Sequence, residues 1–149
     1  MDYYNLEASR AFLISLKAII TLNGATLILR IADTSDQWEL PGGLLEMDEP
    51  LTDGLIREVL EETGLAVSVG KIVAAWDAQV DPFTFRDSRM LNVRVILIAY
   101  LCTTSEETVK ISDEHDAFRW VPNDELIHIS FAANSSKAIQ AYLLQVEST

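Results

Sequence analysis

The chain has 149 residues, of which 49% are hydrophobic, and its 23 Asp and Glu against 11 Lys and Arg give a formal charge of −12. This length fits one ordinary domain, spanning residues 1–149, with enough apolar residues for a real core. The charge disfavours a general nucleic-acid-binding role, because such a surface repels phosphates. It also suits an enzyme of anionic phosphate esters only if a cation stands between protein and substrate. No apolar run approaches the roughly 20 residues of a membrane span. Met1-Asp2-Tyr3-Tyr4-Asn5 lacks the basic segment and apolar stretch of a secretory signal, so a cytoplasmic protein is expected. The single Cys102, between Leu101 and Thr103, permits no internal disulfide or cysteine-based zinc cluster and reads as a buried small hydrophobe.

Residues 12–21 and 25–31 read as two strands joined at Asn23-Gly24, a strong hairpin signal. Asp33-Thr34-Ser35 begins a turn, followed by a short extended piece at residues 38–40. Pro41-Gly42-Gly43 is then expected to break regular structure. A helix is predicted from about Pro50 to Thr63, with proline at its start and Gly64 just past its end. Residues 66–80 and 90–102 suggest two or three more strands, and residues 118–121 a further short one. Asp124 to Leu126 reads as a turn, with His128 beside it. A closing helix near residues 132–145 is patterned by Ala138, Ile139, Tyr142 and Leu143. There is no repeat or low-complexity tract. Strands and helices interleave without regular βαβ repetition, which predicts an α/β protein with a mixed sheet covered by helices.

The chemistry concentrates in residues 43–65. At about 100° per residue, Glu58 and Glu62 stand one above the other on the predicted helix. The same wheel places them beside Leu51 and Leu55, at the edge of the apolar stripe completed by Val59. Glu61 falls further round. Like charges four apart repel, partial burial adds a larger cost, and carboxylates near a helix C-terminus oppose the macrodipole. A bound divalent cation would remove all three penalties. Oxygen donors of this kind suit Mg²⁺, Mn²⁺ or Ca²⁺ better than zinc. Taken alone, the cluster reads as a solvated helix face before a metal site. Gly42-Gly43 suits a tight loop whose carbonyl reaches a ligand, and Gly64 suits a left-handed helix end. Arg57 is placed to pair with Glu49 and hold the preceding loop against the helix.

Together these residues resemble the Nudix box, Gly-x5-Glu-x7-Arg-Glu-U-x-Glu-Glu-x-Gly-U, where U is a bulky aliphatic residue. Gly43, Glu49, Arg57, Glu58, Val59, Glu61, Glu62, Gly64 and Leu65 fill every fixed position. A chance match at a given start is on the order of 10⁻⁹ at average residue frequencies. Trp38-Glu39-Leu40-Pro41-Gly42-Gly43 resembles the usual lead-in to the box. Asp113-Glu114-His115-Asp116, followed by Phe118-Arg119-Trp120-Val121-Pro122, resembles the region where many members supply one further acid.

The resemblance implies a Nudix fold, an α/β/α sandwich with a mixed central sheet, and metal-dependent hydrolysis of a diphosphate bond in a nucleoside-diphosphate-linked compound. It places Glu58 and Glu62 as metal ligands, Glu61 as a further ligand or water-positioning group, and the Gly43 carbonyl on the metal. Arg57 and Glu49 become the structural ion pair, although Glu49 helps with metal in some members. The cofactor is Mg²⁺ or Mn²⁺, and the bound cation reconciles an acidic protein with an acidic substrate. The general base stays open between a box glutamate and a later-loop acid, for which Glu114 is the candidate and Asp113 and Asp116 compete. Neither His115, read as a surface residue, nor His128 is a catalytic candidate.

Substrate choice is less legible. The stretch at residues 81–89 mixes aromatics and arginines, so Phe83, Arg86 and Arg89 are candidates for stacking a base and gripping phosphate. An ordinary hairpin loop reads equally well. Pro82 gives only a faint hint of ADP-ribose specificity. Trp38, Trp76 and Trp120 read as packing residues before stacking platforms. The compact chain, without a long N-terminal extension, favours a nucleoside triphosphate or modified nucleotide over ADP-ribose or another nucleotide sugar. The alternative outside catalysis is a nucleotide-sugar-binding sensor domain, against which the complete box and lack of an appended DNA-binding segment count. Isoprenoid diphosphate isomerase chemistry, with its added cysteine, fits poorly with a lone Cys102 in a predicted strand. The expected partner is a small nucleotide, not nucleic acid or a membrane, and a homodimer is common among similar proteins.

Overall fold

The structure is a computed structural model that describes residues 11–33, 36–80 and 93–147. Among these residues seven strands form one mixed sheet, with its main path in the order β3-β2-β1-β6-β5. The strands are β1 (Ala11–Leu22), β2 (Ala25–Ile31), β3 (Trp38–Glu39), β4 (Gly42–Leu44), β5 (Ser68–Val80), β6 (Val93–Thr103) and β7 (His115–Pro122). Also among the described residues are two α-helices, α1 (Leu51–Thr63) and α2 (Ala133–Glu147), and a 3₁₀ helix at Asn123–His128. None of the described helices is long and apolar enough to cross a membrane.

Central strand β1 runs parallel to β6 from Ala11↔Val93 to Thr21↔Thr103, and β5 pairs antiparallel with β6. The expected hairpin forms around Asn23 and Gly24, both at positive φ, 52° and 77°. Its strands pair only at Thr21↔Thr26 and Leu22↔Ala25. Beyond that point β1 and β2 separate. β3 then pairs with β2 and β4 with β1, so the chain from Trp38 to Leu44 fills the opening between them. β7 takes the far edge of β2.

This corrects the expectation that Pro41-Gly42-Gly43 interrupts regular structure, since Gly42–Leu44 is strand β4. Gly42 lies against β1 so closely that a Cβ there would come 1.9 Å from the Leu16 carbonyl oxygen. What reads as a loop signal is a strand pairing that tolerates no side chain.

Alternation along the strands sorts the core into two layers, the result of successive side chains pointing to opposite faces. Leu16, Ala18, Ile20, Leu27, Leu29, Tyr100 and Cys102 pack with Leu55 and Val59 of α1. Ile19, Ile28, Ala99 and Val121 pack with Ala138, Ile139 and Tyr142 of α2. The predicted stripes of both helices therefore face the sheet, one from each side, and the architecture is α/β/α. Cys102 is fully buried, which pushes its thiol up to about 12. Trp76 and Trp38 pack on the α2 layer and Trp120 on the α1 layer. The Trp38 ring also has the Arg30 and Arg119 guanidinium groups 5.9 and 5.7 Å from its centre.

Candidate active site

The site is built around α1. Its start at Leu51 follows extended Pro50, and its end is capped by Gly64 at φ 71°, whose N–H reaches the Leu60 carbonyl. Leu55 and Val59 are fully buried and fix the rotation of the helix. Each such side chain contributes about 1.5–3 kcal/mol relative to exposure, enough to hold polar groups where they would not go unaided. Glu62 is carried inward with them and is only 5% exposed, while Glu58 is partly covered and Glu61 lies in solvent. The inward acids are those that the helical wheel puts at the edge of the stripe.

Arg57 binds the loop to the helix. It donates from Nε to Glu49 Oε2 at 2.9 Å and from Nη2 to Glu49 Oε1 at 2.6 Å, a two-pronged pair. Nη2 also reaches the Leu44 carbonyl, and Nη1 donates to Glu58 at 3.1 Å and to Glu61 at 3.3 Å. Glu46 adds a weaker contact at 3.7 Å. The Arg57 hydrogen bonds hold the Glu49 carboxyl at about 2 and raise the guanidinium further above its usual range. Gly43 lies against Glu58, where a Cβ would fall 2.5 Å from its carboxylate. Only glycine leaves that carboxylate its place.

A cleft of about 280 Å³ opens over this face, lined by Glu58, Glu61, Glu62, Ser112, Asp113 and Glu114. The charges of Glu61 and Glu114 add to burial in raising the Glu58 carboxyl, against the opposing pull of Arg57. Glu62 rises further, to about 8, first through burial, with Glu39 and Glu114 adding to it and Lys17 opposing. Glu114 therefore lies within electrostatic reach of both. Asp113 shares the cleft, whereas Asp116 is committed to Arg30, whose Nε donates to it at 2.6 Å.

Among the described residues, three buried side-chain polar atoms lack a hydrogen-bond partner: Glu62 Oε2, Ser112 Oγ and His115 Nδ1. Glu62 and Ser112 line the cleft, and His115 lies against Glu62. An ionised carboxylate buried this way needs a compensating cation. The donor set is all oxygen, which fits a hard divalent ion, with Glu58, Glu61 and Glu62 as available carboxylates. Among the described residues no three His, Cys, Asp or Glu side chains yet close on one point as a preformed metal cage. Glu58 and Glu61 lean instead on the single guanidinium of Arg57, as carboxylates that repel one another would.

His115 corrects the sequence reading most sharply. It is 4% exposed, not a surface residue. β7 starts at His115, and the pairing jumps from Arg30↔Ala117 to Ile31↔His115, leaving Asp116 opposite no partner. Strict alternation from Val121, which faces α2, would send His115 to the α2 side. The irregularity shifts the parity by one and turns the ring toward Glu62. Its Nε2 lies 2.7 Å from Glu39 Oε1, and its Nδ1 3.9 Å from Glu62 Oε2.

Behind it is a polar network in the opening between β1 and β2 that the sequence reading did not find. Lys17, 4% exposed, lies 3.6 Å from Glu39 Oε2 and donates to the Leu40 carbonyl. Asn134 Nδ2 donates to Glu39 Oε2 at 2.6 Å, Ser135 Oγ donates to Asn134, and the Leu40 N–H donates to Ser135 Oγ. Burial alone would raise the Glu39 carboxyl, but the His115 hydrogen bond, the Lys17 charge and the Asn134 amide hold it at about 2. The available signal was a lone lysine inside an apolar strand, which requires a buried anion nearby. Phe83, Arg86, Arg89 and Pro82 lie outside the described residues. His128 ends the 3₁₀ helix and is exposed.

The NUDIX domain family matches residues 16–142 of this sequence, and the chain belongs to that family. Its class is that of a pyrophosphohydrolase of nucleoside diphosphate derivatives, whose members bind nucleotides and generally use divalent metal ions. The nucleoside triphosphatase NudI of Escherichia coli O139:H28 (strain E24377A / ETEC) is 27% identical over 127 residues, covering 82% of this chain and 90% of that protein. The solved structure of the E. coli ORF135 protein superposes with a TM-score of 0.71 at 25% identity, covering 93% of this chain and 94% of that one. The MutT protein from Methanosarcina mazei Go1 gives a TM-score of 0.68 at 26% identity, covering 93% and 95%.

Proposed function

We propose that this protein hydrolyses a diphosphate bond in a nucleoside triphosphate or modified nucleotide, using Mg²⁺ or Mn²⁺ held by Glu58, Glu61, Glu62 and the Gly43 carbonyl. The observation that carries the reading is the buried, unpartnered carboxylate oxygen of Glu62 beside a cleft lined by further acids. When bound, the metal lowers the pKa of a water and neutralises charge on the diphosphate. Arg57, held by Glu49, ties the end of strand β4, which carries Gly43, to α1, so that the Gly43 carbonyl would join the carboxylates in holding the ion. Glu114 stands across that cleft, where it accepts a proton from the attacking water or orients it. The triphosphate preference is supported by the likeness to NudI, a nucleoside triphosphatase. The substrate is a small molecule free in the cytoplasm, and nucleic acid is disfavoured by the net charge of −12.

The test is phosphate and nucleotide release across nucleoside triphosphates, modified nucleotides, nucleotide sugars and dinucleoside polyphosphates, with Mg²⁺, Mn²⁺ or EDTA. Cleavage confined to triphosphates and abolished by EDTA supports the proposal. Cleavage of nucleotide sugars alone overturns the substrate preference. Tight binding without turnover makes the protein a sensor domain.

A further inference from the structure

Two of the three unpartnered buried polar atoms among the described residues, His115 Nδ1 and Glu62 Oε2, face each other at 3.9 Å. The ring between them is not free to choose its direction. Glu39, ionised by Lys17 and Asn134, can only accept, so His115 Nε2 carries a hydrogen and donates it at 2.7 Å. The His115 backbone N–H donates to the Ser112 carbonyl, and the side chain is 1% exposed. The anchor thus runs from β1 and α2 through Glu39 to the imidazole, and it ends at a carboxylate on α1.

We propose that His115 is a positioning residue for Glu62: anchored on Glu39, it aims Nδ1 at Glu62 Oε2 and holds that carboxylate in the cleft for the metal. Both atoms lose their solvation on folding, and one hydrogen bond satisfies both when the ring, flanked by two carboxylates, carries a hydrogen on each nitrogen, so that Nδ1 donates to Glu62 as Nε2 donates to Glu39. Metal-binding carboxylates are regularly held by such partners, whose loss weakens metal binding about 10–100-fold. In this role Lys17, Glu39 and Asn134 form the fixed support and His115 its tip.

The inference rests on Glu62 being a metal ligand, and the experiment separates the two. The chain has 2 histidines, so in ¹⁵N-histidine-labelled protein His128 serves as the internal reference. Adding Mg²⁺ to the wild type is expected to shift the His115 Nδ1 resonance and leave His128 in place. An unmoved His115 in protein that binds Mg²⁺ overturns the proposal.

The second measurement is Mn²⁺ affinity without nucleotide, by electron paramagnetic resonance. An asparagine amide stands where Nδ1 does, and a glutamine amide where Nε2 does. His115→Gln is therefore expected to weaken Mn²⁺ binding about tenfold, and His115→Asn by less than about threefold. Equal losses would make the ring a mere packing element and overturn the proposal. Glu62→Gln is the control. If it binds Mn²⁺ like the wild type, the metal assignment falls and the inference with it. If it loses binding while both His115 variants keep theirs, only the positioning role falls.

Discussion

Glu39 and Glu62 flank the same imidazole and are nearly equally shielded, with side chains 15% and 6% exposed, yet their proton affinities diverge. Glu39 is held at about 2 and Glu62 is pushed to about 8. Burial acts in the same direction on both, so the difference lies in what surrounds them. Glu39 has Lys17, the imidazole and the Asn134 amide, and its region is a finished piece of structure. Glu62 has an unpartnered oxygen and acidic neighbours that outweigh the more distant pull of Lys17, and its region is left unfinished. Sites that break the rule of satisfied buried polar groups are where function is expected.

The largest effect expected from this contrast is at Glu62. Glu62→Gln removes the charge without changing shape and should lower kcat on the order of 10³-fold, about 4 kcal/mol of transition-state stabilisation. Its melting temperature in EDTA should stay equal near neutral pH and rise relative to the wild type above about 8, where the buried carboxyl would otherwise have to ionise without a partner. Near-normal turnover at saturating Mg²⁺ would end the metal assignment.

Glu39→Gln should do the reverse. It leaves Lys17 buried without its anion and should cost about 3 kcal/mol in urea unfolding, with a much smaller loss of kcat. Its pH dependence has a definite sign. A carboxyl whose folded value lies below its unfolded one stabilises the protein above about 4.5 and loses that contribution as pH falls towards 2. The stability gap between wild type and Glu39→Gln should therefore shrink across that window. A gap that is constant with pH would mean that the Glu39 charge does not stabilise the fold.

Smaller effects sharpen the same comparison. Glu114→Gln, across the cleft from Glu62, should slow turnover roughly tenfold with little change in stability; an unchanged rate would return it to the surface. Ser135→Ala, on the Glu39 side, deprives the buried Leu40 N–H of its acceptor. It should cost about 1 kcal/mol in urea unfolding and leave kcat unaltered.

Much of the fold, and the carboxylate cluster with its arginine, were legible because their logic is local. An Asn-Gly pair turns a hairpin, a glycine ends a helix, and 100° per residue places Glu58 and Glu62 beside Leu55 whatever the rest of the chain does. The pairing of Arg57 with Glu49 spans only the end of a loop and about two helical turns. Tertiary structure alone decided what stands behind that cluster. Lys17, Glu39, His115 and Asn134 come from four separate segments, and they meet because β1 and β2 part after two residue pairs and residues 38–44 fill the opening. His115 points inward because one irregularity in the pairing of β7 with β2 shifts its parity, and no period in the sequence announces that shift. Short-range patterns set which faces the elements present; the register between distant strands set which groups meet across them.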